Sequence, residues 1–188
     1  MPAAIPRGHP LVRLFARLTE ENFAEHLGWP DGEVIGYVTD VLTDFVHVDQ
    51  LYKIRNAQGR RVEEVAEMLA EGDLLHRAES IDREREVHRH IGDYTLFMAG
   101  IFPEFLQRLK TSKVAISPDA LLDYMQVGKR SYRIVAEFTY GPYEESAPLF
   151  RKLAENFELC VYGLGYVRAD LDHLRDPRFQ ALKGRLLG

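Results

Sequence analysis

The chain has 188 residues and a mass of 21.6 kDa; 46% of its residues are apolar and 28% charged, and 29 acidic against 24 basic side chains give a net charge of -5 and a pI near 5.8. A length in the single-domain range can bury a core without disulfide or metal staples, and this apolar content excludes disorder for most of the chain. The mild acidity argues against nucleic acid as a partner, because a phosphate-backbone binder carries a strongly basic face.

The first nine residues contain Pro2, Pro6 and Gly8 and lack the basic start and apolar run of a secretory leader. Cys160 has no second cysteine to pair with, which fits a reducing compartment and leads us to expect a cytoplasmic protein. The longest nearly apolar run, Ile91 to Phe105, contains Asp93 and Glu104. It is shorter than the roughly 20 apolar residues of a membrane span, so no membrane association is expected.

In chain order the apolar period is helical throughout. Leu11, Leu14, Phe15 and Leu18 recur at helical spacing after Pro10, and Thr19-Glu-Glu-Asn reads as a fresh N-cap leading to Phe23 and Leu27. A turn at Trp29-Pro30-Asp31-Gly32 precedes a stripe of Val34, Val38, Val41, Phe45, Val48 and Tyr52, the face of one helix of about 20 residues. Val62, Val65, Ala66 and Leu69 predict a helix from about Arg60 that Gly72 weakens. From His76 to His90 charges of both signs alternate, as on a solvated helix face. Polarity then collapses, and Tyr94 to Phe102 is apolar nearly all the way round, predicting a central buried helix that starts after an Asp93 cap.

Ser117-Pro118-Asp119 is a helix start, followed by Leu121, Tyr124, Met125, Gly128, Tyr132, Val135 and Thr139 on one face, with Gly141-Pro142 as the stop. Phe150, Leu153, Phe157, Cys160, Leu164, Val167, Leu171 and Leu174 alternate three- and four-residue steps, a heptad seam on one helix nearly 40 Å long, with Gly163 and Gly165 marking a close neighbour or a kink. No segment alternates with a two-residue period, and no repeat or linker divides the chain. The reading is a single all-α domain over residues 1–188, a bundle of six to eight helices with a central apolar helix and a long C-terminal helix, its ends at 1–8 and about 177–188 being the parts most open to flexibility.

Catalytic motifs are few. Gly163-Leu-Gly165 lacks the third glycine and the preceding strand of a dinucleotide site, and Gly128-Lys129-Arg130-Ser131 lacks the upstream glycine of a phosphate loop. Two carboxylate patterns remain. Glu64/Glu67 and Glu79/Asp82 are i,i+3 pairs of the sort that MazG-type pyrophosphohydrolases use to hold Mg²⁺, and Asp44/His47, Asp73/His76 and Asp170/His173 are D-x-x-H steps, with His90/Asp93 reversed, that could share a metal from one helix. Asp73, His76, His90 and Asp93 are therefore the ligands to name if the chain is a metal-dependent enzyme with a divalent cofactor; the favoured reading has no cofactor and no metal.

The junction of the charged and apolar stretches carries the candidate site. His88, His90, Asp93 and Tyr94, with Glu104 and Tyr132, supply the polar groups that could line a cleft between helices and bind a ligand. His90-Ile-Gly-Asp-Tyr-Thr-Leu-Phe-Met-Ala-Gly-Ile-Phe-Pro-Glu104 and Gly128-Lys-Arg-Ser-Tyr132 resemble a pair of motifs in a family of uncharacterised bacterial all-helical proteins. The resemblance covers a minor part of the chain; it implies a bacterial source and a helical fold and brings no activity with it. The expectation is thus a non-catalytic cytoplasmic helical protein that binds a protein partner or a small molecule and can self-associate as a homodimer through the 150–174 helix.

Overall fold

The computed structural model describes residues 8–56, 58–72, 80–105 and 120–187, leaving aside the side chains of Val48 and of residues 120–123. The fold is all-α: among the described residues there is no strand beyond one isolated bridge between Arg55 and Arg61. Helix α1 (Pro10–Glu20) opens with proline, which has no N–H to leave unbonded, while the ring of His9 accepts the Leu11 N–H. Thr19 does not restart the chain as expected. It is buried inside a continuous run that passes into a π-helical stretch at Glu21–His26.

Asp31 caps α2 (Gly32–Phe45), its carboxylate accepting the N–H groups of Glu33 and Val34. The long helix expected over 33–52 breaks at Val46 and His47 and resumes as the single turn α3 (Val48–Leu51), so the apolar stripe outlasts the helix that carries it. Helix α4 (Val65–Gly72) starts later than expected; Val62 is buried from an irregular segment, and Met68 takes the inward place expected of the exposed Ala66. The helix start expected at Ser117-Pro118-Asp119 lies outside the described residues.

The remaining helices are α5 (Ile81–Ile101), α6 (Ala120–Ala136), α7 (Ala147–Glu155), α8 (Phe157–Leu174) and α9 (Pro177–Leu187), with a 3₁₀ turn at Gly141–Tyr143. Helix α5 is the centre of the bundle, against α4, α6 and α8, and every residue from His90 to Phe102 is buried. The central apolar helix is therefore present, but it does not begin at Asp93. One helix capped by Ser80 runs through both the charged and the apolar stretch, which puts Asp93 in its interior.

The C-terminal pattern also outlasts its helix. Asn156 ends α7, donating its side-chain amide to the Lys152 carbonyl, and α8 begins one residue later. Two helices thus replace the expected long one, and this break and the one after Phe45 bring the described α-helices to nine, above the six to eight expected. The seam from Phe150 to Leu171 packs into the chain's own core, whereas Leu174 is half exposed. Segment 177–187, expected among the flexible parts, is helical and buries Phe179 and Leu182. No helix among the described residues is long and apolar enough to cross a membrane.

Close approach explains the motif glycines. A Cβ at Gly92 would overlap the Tyr132 ring, one at Gly128 would overlap Thr95 and Phe157, and one at Gly100 would overlap Leu164. Gly163 likewise admits the Phe23 ring, while Gly165 faces open space. The two motifs are thus the two sides of the α5–α6 contact.

Candidate functional site

Asp93 is buried on α5 and accepts hydrogen bonds at Oδ1 from the hydroxyls of Tyr37 (2.6 Å) and Tyr132 (2.8 Å), while Arg89, one turn earlier, places Nε 3.8 Å from Oδ2. The Arg89 Nε also donates to the Tyr37 hydroxyl at 3.1 Å. Burial raises the Asp93 carboxyl above its ordinary value, with Arg89 and the two phenols working against it. Burial, and next the Asp93 charge, hold Tyr37 and Tyr132 well above the usual phenol range, so both keep the protons they donate. Two predicted residues, Asp93 and Tyr132, therefore meet directly.

His90 lies one turn from Asp93 but serves a different contact. Its Nε2 donates to the Leu51 carbonyl at 3.0 Å, its Nδ1 is buried without a partner, and its ring packs among Phe45 and Tyr94. Burial lowers its pKa to about 3, so the imidazole is neutral. Tyr94 is buried beside the rings of Tyr52 and Tyr124, and burial raises its phenol well above the usual range. Glu104 is removed from this group: it pairs with Arg168 of α8, which holds its carboxyl below the ordinary range against the effect of burial.

Among the described residues no three His, Cys, Asp or Glu side chains are grouped to hold a metal ion. Asp73, His76 and Glu79 lie outside the described residues. Asp170 accepts from the Asn22 amide, Asp44 and His173 are exposed, Asp82 accepts from the Tyr143 hydroxyl, and Glu64 and Glu67 face solvent. His90 and Asp93 are turned to separate partners, Leu51 on one side and two tyrosines on the other.

His88 leads to the open space. Its Nδ1 lies 3.3 Å from the Ser131 hydroxyl of α6, and both residues are buried. They line a cavity of about 390 Å³ between α4, α5 and α6, which Glu84 and Arg130 border with opposite charges and Leu69 and Val127 line with apolar surface. Comparison with family models, curated proteins and solved structures finds no match for this chain.

A serine beside an imidazole suggests acyl transfer, but Ser131 is in the interior of α6, where neighbouring N–H groups are already bonded to carbonyls one turn back. No backbone oxyanion hole is available there. The arrangement can, however, hold a ligand, with two hydrogen-bonding groups inside and one charge of each sign at the edge. Sequence reasoning found His88 and Tyr132 but missed Ser131, Arg130, Glu84, Tyr37 and Arg89. The i,i+4 spacings of Glu84 with His88 and of Arg89 with Asp93 were available as signals, hidden by the density of charge around them.

Proposed function

We propose that this protein is a non-catalytic binding protein for a small zwitterionic molecule, of the size and kind of a free amino acid, held in the cavity between α4, α5 and α6. The observation that carries the reading is the buried His88–Ser131 pair lining a cavity whose border has Glu84 and Arg130 on it. A carboxylate would meet the Arg130 guanidinium, an ammonium group the Glu84 carboxylate, and an apolar side chain the surface of Leu69 and Val127. In support of a reducing, cytoplasmic setting, the Cys160 thiol is buried in the core and pushed up to about 12 by burial, as suits an inert structural thiol.

The test is thermal unfolding with each of the common free L-amino acids in turn, on the native chain and on the Arg130→Gln and Glu84→Gln variants. At least one amino acid should raise the melting temperature progressively with the logarithm of its concentration above its Kd, and each variant should need about tenfold or more of it for the same rise, in line with loss of a charged hydrogen bond. A chain whose melting temperature responds to none of them, or equally in all three proteins, refutes the reading.

A further inference from the structure

We propose that Arg85 of α5 forms a second site, specific for a small carboxylate and covered by the Tyr143 turn. It is separate from the cavity above and does not rest on that reading. Arg85 is only 8% exposed, and its guanidinium lies over the Tyr143 ring at 4.0 Å and near Phe150 at 5.5 Å. Its Nη2 donates to the Ser146 hydroxyl at 2.9 Å, and its Nε is buried with no partner at all. Among the described residues no carboxylate pairs with it.

A buried guanidinium whose Nε has no acceptor is costly, and the aromatic faces stacked on it return only part of that cost. Burial, and then repulsion from Arg89, lower the Arg85 pKa. Arg89 is paired with Asp93 at 3.8 Å, and Asp82, the carboxylate that acts on Arg85 through space, accepts its hydrogen bond from the Tyr143 hydroxyl. Among the described residues no carboxylate is therefore hydrogen-bonded to the guanidinium, and a singly charged oxyanion can take that place. The Nε and Nη2 groups form one edge of the guanidinium, the edge that takes a carboxylate through two parallel hydrogen bonds.

The cover is a short turn whose Tyr143 ring also touches Phe138 and Tyr140. Tyr143 belongs to the 3₁₀ turn Gly141–Tyr143, entered through Gly141 at a positive φ of 57° that favours glycine, and its hydroxyl donates to Asp82. Ser146 donates to the Tyr143 carbonyl while accepting from Arg85, so it links the turn to the guanidinium. If the turn swings out, the Arg85 Nε is uncovered and the Ser146 hydroxyl is freed to donate to the same carboxylate. The space vacated by one phenol ring limits the ligand to a small acid.

The experiment follows the Arg85 Nε–H resonance in ¹H–¹⁵N spectra while sodium acetate replaces sodium chloride at constant ionic strength. We expect the resonance to move saturably with acetate, and the Tyr143→Ala variant, which lacks the cover, to reach half-saturation at a several-fold lower concentration. Arg85→Gln should lose any acetate-dependent rise in melting temperature. The proposal fails if the resonance is unmoved or drifts linearly in both the native chain and Tyr143→Ala, or if acetate stabilises Arg85→Gln as much as the native chain. Should Arg85→Gln not fold, the resonance in the other two proteins still decides.

Discussion

Ser131 and Tyr132 are neighbours on α6, and both reach α5, yet they end in opposite surroundings. Tyr132 is fully buried, donates to Asp93 and fills the gap left by Gly92. Ser131 is just as buried but shares its hydrogen bond with His88 at the wall of a cavity. One side packs its hydrogen-bonded groups against aromatic rings; the other keeps a hydrogen-bonded pair beside space that water or a ligand can enter. Buried polarity alone therefore does not mark a binding site, and the distinction turns on whether open space borders the buried polar pair.

The largest expected effect tests the sealed side. Gly92→Ala places a methyl group into the Tyr132 ring, which is held on its other side by Phe150 and Phe157 and by the hydrogen bond to Asp93. Since neither a fully buried ring nor the helix backbone can yield cheaply, we expect a loss of about 3 kcal/mol by urea denaturation. A loss below about 1 kcal/mol would show that the ring is free to shift and that this side is not sealed.

A second effect, of about 2 kcal/mol, comes from His90, buried on the neighbouring face of α5 against Leu51 and Phe45. In the folded chain its imidazole titrates near 3, whereas in the unfolded chain it titrates near the ordinary 6.5. Between these values the unfolded state binds a proton that the folded state refuses. The contribution is accordingly present in full above 6.5 and is lost as pH falls toward 3. From pH 7 to pH 5 the native chain should lose about 2 kcal/mol more stability than His90→Gln, which can still donate to Leu51 without titrating. Parallel pH profiles for the two proteins would mean that His90 is hydrated and belongs with the open side.

Much of this architecture was legible from periodicity. The apolar stripes named the core residues of α1, α2, α6 and α8, and the loss of polarity at Ile91 named the buried half of α5. What periodicity does not report is where the backbone breaks: the stripes through Phe45 to Tyr52 and through Phe150 to Phe157 continue across helix ends, because short breaks can preserve the direction of the apolar face. The opposite error occurred at Gly92-Asp93, where two residues typical of a helix boundary lie inside a helix. Their reason is tertiary, a glycine that admits a ring and a carboxylate that receives its hydroxyl. The site was half legible for the same cause. His88 and Tyr132 stood out by residue type, but Tyr37 and Ser131 acquire their roles only from helices distant in sequence.

The smallest effect gives the sharpest contrast, because it compares adjacent residues by removing one oxygen from each. In Tyr132→Phe the ring stays in place and Asp93 Oδ1 keeps Tyr37 as its remaining phenol donor, with the fully buried Tyr132 ring still closing off the place of the lost hydroxyl. That should cost about 1–2 kcal/mol, the usual penalty for leaving a buried acceptor short of a partner. In Ser131→Ala the lost hydroxyl borders the cavity, and a water can take its position against His88 Nδ1, so the change should stay within about 0.5 kcal/mol. Combining Tyr132→Phe with Tyr37→Phe should cost more than the sum of the two, since the pair then leaves Oδ1 with no phenol donor at all. If instead the two single variants lose equal stability in urea, the two faces of α6 are equally closed, and the cavity between α4, α5 and α6 does not admit the water that a ligand would replace.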